Sequence, residues 1–470
     1  MLDGQCPIKR IHVVVYEFEP DEGKSSLPDN DNIKYMKRAT SLTLHSFSYF
    51  EGKFEFDFLI DEKHHVINLE HSQKPILFLE DIRHSAFNLA MCYLLDIAEI
   101  VLPKEIVINA DISDGQLIFW KNLFKDVARE KMFALKLDLE LLELPWRITS
   151  TGHKFSHITS GEKSDGYAIC LTGGKESLAL LKLLKDEKSK ITLFYLNLEK
   201  SIHRQKVFQK FEGVYPSIRT FSNRYQVINP LKVEYSDIFS GVDMAHLVFN
   251  TLLFSNSFNT VLIGNEYSSN FPNDIYQGYP INHQFVKSLD FAIRLNNYLK
   301  EFVTDNYTYQ SPFFGLYEYR ISDILFQNDD YLDVWTSCNR STAERNFCSN
   351  CSKCAFTYLV SRVRRDDAFL KHFFSHDILD NLEIFKPIMD FVGEKPLDCV
   401  GDRKEVWVAL NELRLKNIKG AVIDHFLNNI YPHIEANLND YKSEVLSIQK
   451  VPIDSSKRWE NIVTAALNNS

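Results

Sequence analysis

The chain has 470 residues, 45% hydrophobic and 13% aromatic, with 53 Lys and Arg against 63 Asp and Glu, a formal charge of −10. That length predicts two or three domains, and the acidic balance argues against a large nucleic-acid face, since phosphate binding needs a basic surface. No basic segment followed by a clean apolar run opens the chain, so no signal peptide is read; the eight cysteines then point to a reducing, cytoplasmic compartment, where clustered thiols serve metals or catalysis.

Residues 1–150 carry strand patterns at 11–16, 42–49, 54–59 and 106–110 and helical patterns at about 82–98 and 116–130. They predict a separate N-terminal α/β or α+β domain without a chemical motif. Cys6 and Cys92 stand alone and read as buried filler. The Ser-, Thr- and Gly-rich stretch 151–165 is the expected linker. From 166 the pattern becomes strand, loop, helix, repeated: strands at 167–171, 191–197, 225–229 and 260–264, helices at 176–185, 203–212 and 243–257. Alternation of this kind predicts a parallel sheet wound with helices. Residues 244–265 lack Asp, Glu, Lys and Arg over a bilayer-spanning length, but His246 and several Asn and Ser mark them as buried α/β interior, not membrane.

The most informative stretch joins the first of these strands to its helix: Thr172-Gly173-Gly174-Lys175-Glu176-Ser177. Two glycines let the backbone turn tightly and approach a ligand closely. The helix beyond presents free N–H groups and its positive dipole end. Thr172 and Ser177 add hydroxyls and Lys175 a cation, which makes a phosphate or pyrophosphate cradle. The loop lacks the Gly-Lys-Ser/Thr ending of the mononucleotide loop and the third glycine of the dinucleotide fingerprint. Ligands of parallel sheets sit at the carboxyl ends of strands, so Gly264-Asn265-Glu266 should face the same crevice. Glu266 is a candidate for Mg²⁺ or a substrate amine. His283 and Lys287 share a face if their segment is helical.

Cys338, Cys348, Cys351 and Cys354 put half of the cysteines in one short window. Four thiolates, the last three at two-residue gaps, suit a closed, structural tetrahedral Zn²⁺ site; a redox pair and an iron–sulfur cluster are the rivals. Residues 357–375 read as a helix bearing Arg362, Arg364 and Arg365. Cys399 lies in a tight loop before a helix for which Asp402 and Glu405 have capping-box spacing; a thiol there can have a lowered pKa or be buried structure. The remainder to 470 patterns as helix.

The glycine loop resembles the Ser-Gly-Gly-x-Asp-Ser loop of the PP-loop ATP pyrophosphatases, with Thr172 and Glu176 in place of Ser and Asp. Gly264-Asn265-Glu266, Asn282-His283-Gln284 with Lys287-Ser288, Ser337-Cys338-Asn339 ahead of the cysteine run, and Lys395-Pro396 with Cys399-Val400-Gly401 extend the likeness. From about 167 to 410 the chain resembles the MurL family, the UDP-N-acetylmuramoyl-L-alanyl-L-glutamate epimerases of peptidoglycan synthesis. The resemblance implies a PP-loop (HUP-like, adenine nucleotide alpha-hydrolase-like) parallel α/β domain at 166–375 with a four-cysteine zinc element. A helical C-terminal region would follow at 376–470, and residues 1–150, which match only in position and length, are left by elimination to recognise the bulk of the substrate. It implies ATP, Mg²⁺ and structural Zn²⁺. Thr172, Gly173, Gly174, Lys175, Glu176, Ser177, Gly264 and Asn265 would bind the nucleotide, with Glu176 or Glu266 near Mg²⁺. Lys175, Glu266, His283, Lys287 and Cys399 are the candidates for catalysis.

In this chemistry ATP adenylates the terminal glutamate's α-carboxylate, pyrophosphate leaves, and the activated α-carbon loses and regains its proton on opposite faces. A second resemblance, to the 7-cyano-7-deazaguanine synthases, implies ATP activation of a deazapurine carboxylate instead. The two departures in the loop also leave room for a non-catalytic nucleotide-binding scaffold.

Overall fold

A computed structural model describes residues 37–158, 164–197, 202–338, 340–342, 345–391, 397–398, 400–452 and 456–468. The strand expected at 11–16, Cys6 and Cys399 lie outside them. The described chain opens with three strands, β1 (Leu42–Phe50), β2 (Lys53–Ile60) and β3 (Lys63–His71). Two-residue turns join them, and Glu51, Gly52, Asp61 and Glu62 all have positive φ, the conformation that matches the twist of paired strands. Alternation along β2 buries Phe54, Phe56, Phe58 and Ile60 on one face. Each such aromatic contributes about 1.5–3 kcal/mol by leaving water, which sets the register.

Helix α1 (Leu79–Val101), β4 (Ile106–Ile108), α2 (Asp114–Ala134) and β5 (Trp146–Ile148) follow. Helix α1 packs on β1, α2 and a later helix, and is buried nearly all round, as its mostly apolar sequence allows. The next units are β6 (Tyr167–Cys170), α3 (Lys175–Leu183), β7 (Ile191–Tyr195), α4 (Ile202–Phe211) and β8 (Ser217–Ser222). After them come α5 (Arg224–Glu234), α6 (Asp243–Leu252) and β9 (Thr260–Leu262). A hairpin of β10 (Asp274–Tyr276) and β11 (Tyr279–Ile281), then α7 (Leu289–Tyr298) and β12 (Thr308–Gln310), complete the strands.

Ten of the described strands form one sheet, in the order β12-β9-β6-β7-β8-β3-β2-β1-β4-β5. The run from β12 to β8 is parallel throughout. Strand β3 joins it antiparallel to β8, pairing Leu69 with Ser222. The sheet therefore continues across the boundary expected at 151–165, and the described residues, from Lys37 on, pack as one compact unit. From β6 the chain steps outward to β7 and β8, then returns to β9 on the other side of β6. A reversal of this kind, here between β6 and β9, is where open α/β sheets bind their ligands.

A largely helical region closes the chain, beginning with α8 (Glu318–Leu325), α9 (Ser352–Arg362), α10 (Asp367–Leu370), α11 (Leu382–Met389) and α12 (Arg403–Leu415). No helix among the described residues is long and apolar enough to cross a membrane.

Three expectations need correction. Residues 225–229 are helical, inside α5, where Arg224, Ile228 and Leu231 bury one face at helical spacing. The strand is the alternating Ser217–Ser222 just before it. The helix expected over 357–375 breaks after Arg362, and Asp366 caps the short α10 by accepting the Phe369 N–H at 2.9 Å. The segment holding His283 and Lys287 is a turn and a 3₁₀ coil (Phe285–Lys287), so the two do not share a helix face.

Candidate active site

Strand β6 ends at Cys170, and the chain turns through Thr172-Gly173-Gly174 into α3, with Gly174 as its N-cap. Gly173 has φ +81°, and a Cβ there would stand 2.6 Å from Val207 Cγ2 and 2.9 Å from the Val334 carbonyl. Glycine is therefore required twice, by backbone angle and by space. Thr172 Oγ1 accepts the Gly174 N–H at 3.4 Å, and the Ser177 hydroxyl donates to the Gly174 carbonyl at 3.0 Å. The exit of β9 meets this loop directly: a Cβ on Gly264 would lie 2.6 Å from Glu176 Cβ and 2.9 Å from the Glu176 carbonyl carbon. Loop and strand exit are thus packed against each other at the carboxyl ends of β6 and β9. Asn265 donates to the Tyr309 hydroxyl at 2.5 Å, and its carbonyl accepts from Ser311 at 2.7 Å, which pins that exit to β12 and its continuation.

Lys175 is turned inward. Its ammonium is fully buried and ion-paired with Glu176 and with Glu318, the first residue of α8. Burial works against the charge, but the two carboxylates outweigh it and hold Lys175 protonated. Glu176 drops to about 2, because Lys175 and Lys287 overcome its burial. Glu318 rises to about 7, driven first by burial and then by the nearby Glu176 and Glu266, against the pull of Lys175. Glu405 rises to about 8, by burial and by Glu318, although it accepts N–H groups of Tyr319 at 2.6 Å and Asp402 at 2.7 Å. The second of those bonds belongs to the expected capping box of α12. The result is a cluster in which Lys175, Glu266, Glu318 and Glu405 are buried and Glu176 and Lys287 half-buried.

His283 takes a different neighbour: its Nδ1 lies 2.9 Å from Glu130 of α2. Gln284 beside it donates to the Val400 carbonyl at 3.3 Å, which sets the residues just before α12 against this turn.

A cavity of about 100 Å³ opens at the ends of β6, β7 and β8, lined by Cys170, Thr172, Asn197, Thr220, Arg224 and His246 among others. Its wall is braced from the N-terminal region. Asp96 of α1, fully buried, lies 2.7 Å from His246 Nε2 and 2.8 Å from the Arg224 guanidinium, which also meets Asp243 at 3.0 Å. Burial pushes the Cys170 thiol up to about 11, so it stays a thiol at neutral pH. Sequence reasoning missed Arg224, His246, Glu318 and Glu405. Asp243 and His246, on one face of a helix start, were the only legible signal; Glu318 and Glu405 carried none beyond the capping spacing.

The four cysteines converge, with all Sγ atoms within 4.8 Å of one another. Cys348 Sγ is 3.6 Å from both Cys351 and Cys354, close to the edge of about 3.8 Å expected for a tetrahedron of thiolates around Zn²⁺. Backbone N–H groups point at the sulfurs: Arg340 and Cys348 donate to Cys338 at 3.3 Å, and Cys354 to Cys351 at 3.4 Å. This donor set fits a thiophilic divalent ion with four protein ligands and no open position.

Comparison with known proteins gives a consistent match. The model of the MurL N-terminal domain matches residues 46–312 and that of the MurL C-terminal domain residues 334–439. Two relatives, both named UDP-N-acetyl-alpha-D-muramoyl-L-alanyl-L-glutamate epimerase, come from Micromonospora sp. and Salinispora tropica. They are 34% and 31% identical over 166 residues, 34% of this chain in each case. The aligned stretch spans only 37% and 36% of those relatives. No solved structure matches.

Proposed function

The chain belongs to the MurL family, and from that premise we propose that it epimerises the terminal L-glutamate of UDP-MurNAc-L-Ala-L-Glu to D-glutamate, with ATP as co-substrate. One observation carries the reading. The glycine loop after β6 and Gly264-Asn265-Glu266 after β9 meet at the reversal point of a parallel sheet, with Gly264 against Glu176. A reversal point of this kind is where open α/β sheets bind nucleotides.

The α3 amides with Thr172, Gly173 and Gly174 receive the phosphates, where donors aimed at developing charge favour the leaving pyrophosphate. The adenosine takes the cavity beside Asn197 and Arg224. Glu176 and Glu266, on the two adjoining exits, would hold the Mg²⁺ that accompanies the triphosphate. Attack of the glutamate α-carboxylate on the α-phosphorus forms the acyl adenylate and releases pyrophosphate. Loss of the carboxylate's charge acidifies the α-proton. A base removes it, reprotonation comes from the opposite face, and water releases AMP and the D-glutamyl product.

Glu318 has the protonation range that a base at neutral pH needs, and Lys287 is the cation of the same cluster. Lys175 serves as the counter-ion that holds Glu176 and Glu318 in place. The four cysteines hold Zn²⁺ as structure.

The test is incubation with ATP, Mg²⁺ and UDP-MurNAc-L-Ala-L-Glu, following pyrophosphate and the configuration of the glutamate. Substrate-dependent pyrophosphate with D-glutamate supports the proposal. Pyrophosphate without inversion moves the assignment to another carboxylate, a deazapurine acid being the next to try. No pyrophosphate overturns the adenylation step.

A further inference from the structure

The cysteine element and the glycine loop touch through one short strap, residues 334–337. The Thr336 N–H donates to the Gly173 carbonyl at 2.8 Å. The Ser337 hydroxyl accepts the N–H of Lys175, the first residue of α3, at 3.2 Å. The Val334 carbonyl, which accepts from His203 Nε2 at 3.0 Å, occupies the space that a side chain on Gly173 would need. The strap thus forms one wall of the phosphate cradle and engages the backbone on both sides of Gly174.

The next residue is Cys338. From the other end of the element, Asn346, two residues before Cys348, clamps the strap twice. Its side chain donates to the Trp335 carbonyl at 3.0 Å, and its carbonyl accepts from the Thr336 hydroxyl at 2.5 Å. Two of the four thiols therefore sit within two residues of groups that hold the strap. Thiolates packed this closely repel one another unless a cation lies between them. Without that cation the element relaxes, and Gly173, with no Cβ to restrain it, is free to follow.

We propose that the tetrathiolate metal centre sets the conformation of the phosphate loop through the Thr336–Gly173 and Ser337–Lys175 bonds, so that metal occupancy governs the loop's affinity for a nucleoside triphosphate. The affinity half rests on the ATP reading above. The coupling half does not, because it concerns the order of the backbone.

Hydrogen–deuterium exchange on the full chain separates the two. Native mass spectrometry should find one metal ion per protein, and a protein that binds none overturns the proposal. On chelation, exchange in 172–178 should quicken about tenfold, together with 345–354, while β1 to β3 keep their protection. ATP affinity should fall about tenfold, the scale on which supporting groups act at such sites, and return on adding Zn²⁺.

Faster exchange confined to 345–354 would overturn the coupling. If chelation loosens every segment, Thr336→Pro and Thr336→Val together decide, since both delete the hydroxyl that meets Asn346, only Pro deletes the donor to Gly173, and both keep all four cysteines. Quickened exchange at 172–178 in the Pro variant alone, with unchanged metal content, supports the strap, and a loop that is unmoved, or moved equally by Val, overturns it. A metal-loaded protein that binds no ATP, yet whose loop exchange responds to the metal, would sink the affinity half and the nucleotide reading together while the coupling stands.

Discussion

Replacing Lys175 by Met isolates the ion cluster beneath the glycine loop. The ammonium is fully buried, and Glu318 opposite it is 6% exposed. Without the cation, Glu318 is left facing the charge of Glu176 and Glu266. Removing one partner of a buried pair costs about 3–5 kcal/mol, because the stranded charge has no solvation. Glu318 already titrates near 7 beside Lys175, and losing the cation moves it higher. At pH 6 the stranded carboxyl is protonated and the loss shrinks; at pH 8 the folded state must either hold the charge or take up a proton, and the loss is largest. Adding Glu318→Gln removes the stranded charge, so the double variant should be about 2 kcal/mol more stable than the two single losses summed, a size typical of residues in contact. Urea unfolding of the four proteins at pH 8 measures this, with equal m-values as the check on a common unfolded state. Losses that add within about 0.5 kcal/mol would refute the claim that Lys175 serves this cluster.

Gly264→Ala places a methyl 2.6 Å from Glu176 Cβ and 2.9 Å from its backbone; the loop must move, and thermal unfolding should show a loss of about 1–3 kcal/mol with weaker ATP binding by calorimetry. Asp96→Ala takes the buried carboxylate from Arg224 and His246 and leaves Arg224 only the more exposed Asp243; it should destabilise by about 3 kcal/mol, read from the denaturation midpoint. Glu318 also predicts a pH signature. Its folded pKa, about 7, lies above the unfolded carboxylate range, so the folded state holds the extra proton and its stabilising effect fades as pH rises from about 4.5 to 7. Wild-type stability measured against Glu318→Gln should therefore fall across that window, and a difference that is flat or rising would contradict the assignment.

The parts of this protein that sequence reveals are those set by local chemistry. Thr172 to Ser177 announces its turn because two glycines and a helix start need no distant partner. The cysteines announce their convergence because ligand spacing is local. Asp402 and Glu405 announce a cap for the same reason. What stayed hidden was set by tertiary contact. Tyr225 to Asn229 has strand-like residues, yet it lies in a helix because Ile228 and Leu231 bury together at helical spacing. Glu318 looks like any helix-start carboxylate, and only its burial in the cluster around Lys175 lifts its pKa. The role of Asp96 in bracing His246 and Arg224 spans more than a hundred residues. The junction of β3 with β8 likewise rests on a pairing that no local pattern encodes.

The most direct test of the central proposal is to run the reaction in D₂O with UDP-MurNAc-L-Ala-L-Glu, with and without ATP. D-glutamyl product should appear only with ATP, carry deuterium at its α-carbon, and form together with an equal amount of AMP. Inversion without ATP, or AMP formation without deuterium at the α-carbon, would contradict it.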